Sequence, residues 1–266
     1  MPSTGIQLTL HWLNRSRAQR VIWLLEELRL QYRLVTYERL PDQQAPPSLK
    51  AIHPLGKSPV LEVNNSRTKK PLVLAESANI IQYITEHFGQ HLIPKKWQDG
   101  LEGEAGGETD EWTRNSYYMH YAEGSLTALI AAGALKNGIK NASVPFFIKP
   151  LTGMIAGKIE TDYLNHNFDA HLSFLESEMS RISKAANNLS SGESSAADGP
   201  FISGQQLTPA DFMMAFPLEA AQQIAGLTKT KYPFLTDYVA RVQSREAYKA
   251  AIERIIEQTG TYESGI

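Results

Sequence analysis

Lys57-Ser58-Pro59-Val60-Leu61, then Leu74-Ala75-Glu76-Ser77-Ala78-Asn79-Ile80-Ile81-Gln82-Tyr83-Ile84, is the stretch on which the reading of this chain turns. The second piece reads as a strand end running into an amphipathic helix. Its opening places an acidic residue and a serine beside backbone N–H groups that have no intrahelical acceptor. Such a helix start suits a zwitterion of the α-amino acid kind. The carboxylate meets the N–H groups and the positive helix end, and the ammonium meets Glu76. The Ser58-Pro59 peptide offers exposed backbone with which an extended peptide could pair, above all in the cis form.

Outward from this stretch, the first 90 or so residues alternate strand and helix signals. Leu8–Leu13 is a short β-rich run, Val21–Leu28 carries apolar residues at helical spacing, and Tyr32–Tyr37 alternates at period two. Ala45–Ile52 is a Pro-started short helix or turn. Val60–Val63 and Pro71–Leu74 flank the polar loop Asn64–Thr68 and form a hairpin, and the helix from Ser77 stops near Gly89. The order β-α-β-α-β-β-α fits a thioredoxin-like sheet. A polar, Gly-rich bridge, Asp99–Glu108, reads as a linker. Beyond it come helical patterns over roughly 110–135, 145–186, 209–224 and 232–257, with Asn187–Gly199 as a Ser/Ala/Gly-rich, mobile loop. The expected division is residues 1–90 as the thioredoxin-like domain, 91–109 as linker and 110–266 as an all-helical domain.

Composition narrows the function classes. The 266 residues are 42% hydrophobic and 20% charged with a net charge of −2, a balance that favours neither nucleic acid nor a membrane surface. There is no cysteine, which excludes a cysteine nucleophile, a thiolate metal site and a disulfide framework. Any thiol chemistry must use a ligand's sulfur. The N-terminus shows no secretory pattern, and no apolar run approaches the roughly 20 residues of a spanning helix, so the cytosol is the expected compartment. The sequons at Asn141 and Asn188 then read as chance matches. Gly56-Lys57-Ser58 fails as a P-loop because Ala51 stands where a glycine is required. His166 and His171 have the wrong spacing for a helical zinc pair, and no metal is expected.

Thr208-Pro209-Ala210-Asp211 is a capping box with Pro at the first helical position. In order with His11-Trp-Leu-Asn-Arg-Ser-Arg-Ala-Gln-Arg20, Ala45–Leu61 and Leu74-Ala-Glu-Ser77, it resembles the cytosolic glutathione transferase superfamily over nearly the whole chain. The opening resembles a fungal and bacterial subgroup with a His-Trp-Leu-x-x-Ser-Arg-Ala motif. The extended linker and the 187–199 loop depart from the family pattern.

The resemblance implies glutathione as co-substrate. Glu76 and Ser77 would hold the γ-glutamyl group, Ser58 before the family's cis-proline (Pro59) would pair with the cysteinyl part, and Lys57 would reach the glycyl carboxylate. His53 stands where many relatives carry asparagine, and reads better as a buried structural histidine than as a ligand contact. A thiol with a pKa of about 8.5 needs a hydroxyl donor or a helix N-terminus beside it to be thiolate at neutral pH. No tyrosine lies between the first strand and first helix. Ser16 is the hydroxyl candidate, although Ser16-Arg-Ala-Gln19 is itself a capping box; Asn14 or the helix N–H groups are the alternatives, and Arg15 and Arg17 could add positive potential. Tyr117, Tyr118 and Tyr121 are core or the wall of the electrophile site on the helical domain.

The expected activity is conjugation to a hydrophobic electrophile, or peroxide reduction, in a detoxifying homodimer built along the helix-3/helix-4 face. The rivals are a non-catalytic binding or regulatory protein on the same fold and a glutathione-dependent disulfide reductase.

Overall fold

The computed structural model describes residues 5–189 and 199–263. Part of the Asn187–Gly199 loop, residues 190–198, lies outside the described residues, as does Ser190 of the second sequon.

Four strands form one sheet in the order β2-β1-β3-β4: β1 (Ile6–Leu13), β2 (Tyr32–Tyr37), β3 (Val60–Asn65) and β4 (Leu72–Ala75). β1 and β2 run parallel, which demands a crossover, supplied by α1 (Gln19–Glu27). β3 pairs antiparallel with β1 and β4 antiparallel with β3 through the expected hairpin. Between β2 and β3 lies the short α2 (Ser48–Ile52), and α3 (Ser77–Phe88) follows β4. This is a thioredoxin-like mixed sheet, as the strand and helix signals predict.

Alternation places Leu8, Leu10 and Trp12 of β1 in the core, where Val21, Ile22, Leu24 and Leu25 of α1 and Ile80, Ile81 and Ile84 of α3 are also buried. Each aliphatic side chain contributes roughly 2 kcal/mol on burial. Gly89 does end α3, but with φ −134 rather than a left-handed cap. A Cβ there would stand 3.0 Å from both terminal methyls of Leu28, which would have to give by a few tenths of an ångström.

The rest of the described chain is helical: α4 (Asp110–Tyr121), α5 (Ala128–Lys140), α6 (Lys149–Ile159), α7 (Asn165–Leu189), α8 (Pro209–Ile224), α9 (Pro233–Ser244) and α10 (Glu246–Thr259). The 145–186 pattern is two helices joined by a π-helical turn, Glu160–Leu164, and a second such turn, Ala122–Thr127, joins α4 to α5. Described residues up to Ile93, together with those from Val242 onward, make one compact unit; Pro94–Arg241 make another. α10 joins the sheet unit by packing on α1. Trp23 meets Tyr248 edge-on at 5.7 Å, and the Arg245 guanidinium grips both oxygens of Glu27. Such a fork is the stronger form of ion pair.

The Gly-rich connection is folded rather than extended. Successive turns close Leu101 N–H on Gln98, Glu104 on Leu101 and Gly107 on Glu104. Gly100, Gly103 and Gly106 take positive φ at the third residue of each turn, where glycine has no steric cost.

The second unit is organised by the Thr208 capping box. Asp211 is wholly buried. Its Oδ1 accepts from Ile202 N–H (2.9 Å) and the Tyr238 hydroxyl (2.8 Å), and its Oδ2 accepts from Thr208 N–H (2.8 Å). Burial pushes the carboxyl pKa up, and these hydrogen bonds oppose that shift. Asn115 Oδ1 ties α4 to the same helix start by accepting Ala210 N–H at 3.0 Å. Asp211→Ala leaves two buried N–H groups and a phenol without an acceptor. It is expected to destabilise the protein by at least about 4 kcal/mol in denaturant unfolding, and Asp211→Asn, which keeps one acceptor, by less.

Candidate functional site

The sheet register brings the predicted residues of the first unit to one edge. His11 pairs with Val60, and Val60 with Ala75. The end of β1, the Ser58-Pro59 peptide and the Glu76-Ser77 helix start therefore share the same end of the sheet.

Ser58-Pro59 is cis. The Ser58 hydroxyl is committed both ways: it donates to the His11 carbonyl (3.0 Å) and accepts from Leu13 N–H (3.1 Å). Ser16 Oγ lies 3.5 Å from Ser58 Oγ and accepts from Ala18 N–H at 3.2 Å. The predicted Ser16–Gln19 capping box does not form. The helix begins at Gln19, and both polar atoms of the Gln19 side chain are buried without a hydrogen-bond partner among the described residues. Ser16 instead caps the turn ahead of α1 with its lone pair. Capping uses the oxygen as acceptor, and with the Ser58 proton spent on His11 the Ser16 proton points to Ser58 Oγ across a long 3.5 Å contact that a closer acceptor can displace. Turn cap and donor are compatible roles for one serine.

Asn14 is held as a brace. Its side-chain oxygen accepts from Arg39 N–H (2.9 Å), and its own N–H donates to the Tyr37 carbonyl (3.0 Å). Arg15 follows with φ 47, its carbonyl accepting from the Arg39 guanidinium (3.1 Å) and its own guanidinium bonded to Gln43. Arg39 thus fixes the loop between β1 and α1, a role its sequence context does not signal.

His53 is partly exposed, not buried: it closes α2, and its Nδ1 accepts from Leu55 N–H at 3.4 Å. A helix of five residues is too short to enclose its own terminal side chain, so His53 stays at the surface as a turn brace. Lys57 is exposed and Pro59 buried. Glu76 is exposed and takes φ 71, ψ 123, a strained conformation for a residue with a Cβ. Its carboxylate does not cap α3, and Ser77, itself buried, makes no side-chain hydrogen bond to another described residue. The first-turn N–H groups of α3 are therefore open to an anion.

The His-Trp-Leu opening has a physical reason of its own. Buried His11 is joined through Nδ1 to the Tyr37 hydroxyl (2.8 Å) on β2, and its Nε2 lies 3.4 Å from the Glu62 carboxylate on β3. The Nδ1 bond ties β1 to β2, while buried Nε2 has no hydrogen-bond partner among the described residues. Burial, then Glu62, push the Tyr37 phenol pKa up.

In the second unit, α4 brings Tyr117, Tyr118 and Tyr121 into one aromatic cluster with Phe174 of α7. Tyr118 and Tyr121 are buried, while Tyr117 is 49% exposed. Tyr121 is hydrogen-bonded to His171 at 2.6 Å, a partner fifty residues away that its own sequence neighbourhood does not disclose.

Comparison with known proteins agrees with this architecture. Residues 15–87 match the model of the glutathione S-transferase N-terminal domain. Glutathione S-transferase 1 of Saccharomyces cerevisiae is 34% identical over 248 residues, covering 93% of this chain and 94% of its own. Among solved structures, a glutathione S-transferase of Actinobacillus pleuropneumoniae superposes with a TM-score of 0.61 at 28% identity, covering 93% of this chain and 92% of that one. Ure2p in complex with glutathione superposes with a TM-score of 0.63 at 15% identity, covering 94% and 99%, a likeness of fold. The chain belongs to the glutathione S-transferase family.

The strain at Glu76 sets up a test. Glu76→Gly is expected to raise stability to unfolding by about 1 kcal/mol, because glycine adopts positive φ without steric cost. An unchanged or lowered denaturation midpoint would show that the Glu76 side chain contributes contacts that outweigh its backbone strain.

Proposed function

We propose that this chain is a glutathione transferase that binds glutathione at the sheet edge of its first unit and activates the thiol for attack on an electrophile or peroxide. The observation that carries the reading is the Ser16–Ser58 pair. Ser58 has no uncommitted proton, so Ser16 is the hydroxyl able to donate to a sulfur lying beside the cis peptide. A hydrogen bond to the thiolate favours that form over the thiol. Asn14, with its oxygen taken by Arg39, keeps only its amide N–H groups as donors.

In this reading the open N–H groups of α3 and the Ser77 hydroxyl receive the γ-glutamyl carboxylate, and Glu76 receives its ammonium. The Ser58 backbone pairs with the cysteinyl unit beside Pro59, and Lys57 supplies a point charge toward the glycyl carboxylate. His53 borders this site without a stronger claim. The strain at Glu76 aims its carboxylate outward, and strained backbone of this kind collects at ligand sites.

Residues 1–90 are the glutathione-binding domain in this proposal, 91–109 the linker, and 110–266 the helical region whose Tyr117 and Tyr121 wall the electrophile site. The protein is a cytosolic, detoxifying homodimer of the fungal subgroup with the His-Trp-Leu opening, associating along α3 and α4. Sedimentation at twice the chain mass is expected; a monomer would remove the dimer from the proposal.

The test is the ultraviolet absorbance of the thiolate in bound glutathione across pH. For the wild type, the thiol pKa is expected at least about one unit below its free value of roughly 8.5. Thiolate, and with it the rate, then rises at lower pH than for the free thiol. Ser16→Ala is expected to move that rise back toward the free value, whereas a depressed pKa unmoved by Ser16→Ala transfers the role to Asn14 or the N–H groups of α1. No retention on immobilised glutathione, and no thermal shift with it, would overturn the reading altogether. The fold likeness to Ure2p favours one second reading, a glutathione-binding protein without turnover. Binding with an undepressed thiol would select it.

A further inference from the structure

The loop that carries Ser16 is held by a closed set of bonds. The β1–β2 ladder ends with Leu13 opposite Tyr37, and the Asn14 N–H extends it by one bond to the Tyr37 carbonyl (3.0 Å). Past that point Arg39 takes over from the strands. Its own N–H donates to Asn14 Oδ1 (2.9 Å), and its guanidinium donates to the Arg15 carbonyl (3.1 Å) and the Gln43 carbonyl (2.9 Å). The Arg15 guanidinium closes the set by donating to the Gln43 side-chain oxygen. Gln43 itself sits in a tight turn, its N–H bonded to the Leu40 carbonyl (2.8 Å) and the Leu40 N–H to the Gln44 carbonyl (2.9 Å).

Two features set this clasp apart from an ordinary loop anchor. Arg15 has φ 47 and Gln43 φ 66, left-handed backbone that a residue with a Cβ adopts where its surroundings impose it. The Arg15 carbonyl is the group that Arg39 grips, so releasing that bond frees the turn at the residue directly before Ser16. The clasp also brings two guanidinium groups together around a neutral amide. Burial, then the Arg15 charge, lower the Arg39 pKa, so the like-charged pair is held against its own repulsion. The Glu263 carboxylate lies 3.9 Å from Arg15 Nε, on the outer side of the pair from Gln43's point of attachment to neither cation's backbone. What Arg39 contributes is geometry, a planar fork whose two donors reach carbonyls of two different loops.

The position of Ser16 has little tolerance. Its Oγ stands 3.5 Å from Ser58 Oγ, at the outer limit of a hydrogen bond, and accepts from Ala18 N–H at 3.2 Å. Ser58 is fastened to β1, so the loop decides where the Ser16 hydroxyl stands beside the cis peptide. A displacement of about 1 Å is enough to take a donor out of range of its acceptor. We propose that Arg39 is a positioning residue for thiol activation: by holding the Arg15 turn, it keeps the Ser16 hydroxyl where a ligand sulfur can receive its hydrogen bond. This rests on the transferase reading above. The thiol releases its proton to solvent, the thiolate accepts from Ser16, and Arg39 acts through the turn alone.

The experiment follows the thiolate absorbance of bound glutathione across pH in wild type, Arg39→Lys, Arg39→Met and the double variant Ser16→Ala/Arg39→Lys. Lysine keeps the charge but, as a single ammonium, cannot reproduce the fork on both carbonyls. Both single variants are therefore expected to lose at least about half of the wild-type depression, which lowers the thiolate fraction at pH 6.5 about threefold and leaves it within about twofold at pH 9.5. Added to Ser16→Ala, Arg39→Lys should shift the thiol no further, because the two residues act in series. An Arg39→Lys protein that titrates like the wild type, or a further shift in the double variant, would overturn the assignment. A second readout needs no glutathione. Amide hydrogen exchange of the Ala18 N–H, which Ser16 accepts, is expected to quicken about tenfold in Arg39→Lys while that of Leu10 in the middle of β1 holds. Unchanged exchange at Ala18 would overturn the assignment on its own. A wild type that fails to bind glutathione, or binds it with an undepressed thiol, refutes the transferase reading instead; the exchange comparison then still decides whether Arg39 holds Ser16.

Discussion

The hydroxyl of Ser58 is the constraint on which the first unit's site depends. It bridges the His11 carbonyl and the Leu13 N–H at the end of β1. That bridge fastens the cis peptide to the strand, and with it the beginning of β3, whose register places β4 and the strained Glu76. Beneath it, the His11 imidazole holds β1 to Tyr37 on β2. A chain of short contacts therefore runs from sheet core to sheet edge. Because Ser58 spends its proton on this scaffold, Ser16 is the donor in their long 3.5 Å contact, and that weak bond is the one a ligand can displace.

A second buried polar group plays a comparable part in the helical unit. Asp211 collects donors from the Ile202 turn, the start of α8 and Tyr238 of α9. A carboxylate wholly out of water is tolerable only when its oxygens are satisfied this fully. The two organisers differ in consequence. Asp211 turns inward and fixes packing, whereas Ser58 lies at an edge where backbone N–H groups remain open.

Several residues have two physical roles that need not compete. Ser16 accepts from Ala18 N–H through a lone pair, so the capping chemistry legible in Ser16-Arg-Ala-Gln19 does not preclude donation to a ligand. Tyr121 is both core and the hydrogen-bond partner of His171. Gly89 ends a helix beside Leu28 without a left-handed turn. In each case residue type was readable from local pattern, while the partner that defines the role came from elsewhere in the chain.

Local chemistry determined much of this protein from sequence alone. Hydrophobic periodicity and turn residues defined the strands, the hairpin and the order of elements along the chain, because each depends on neighbours within a few residues. The Thr208–Asp211 capping box was legible for the same reason, as was the open helix start at Ser77. Tertiary structure alone decided the rest. Glu27 meets Arg245 and Trp23 meets Tyr248 across more than two hundred residues, drawing α10 to the sheet unit. Arg39 came to brace Asn14, and His171 to meet Tyr121, through strand pairing and helix packing that no short window encodes. The exposure of His53 and the strain at Glu76 likewise depend on how the completed backbone closes around them.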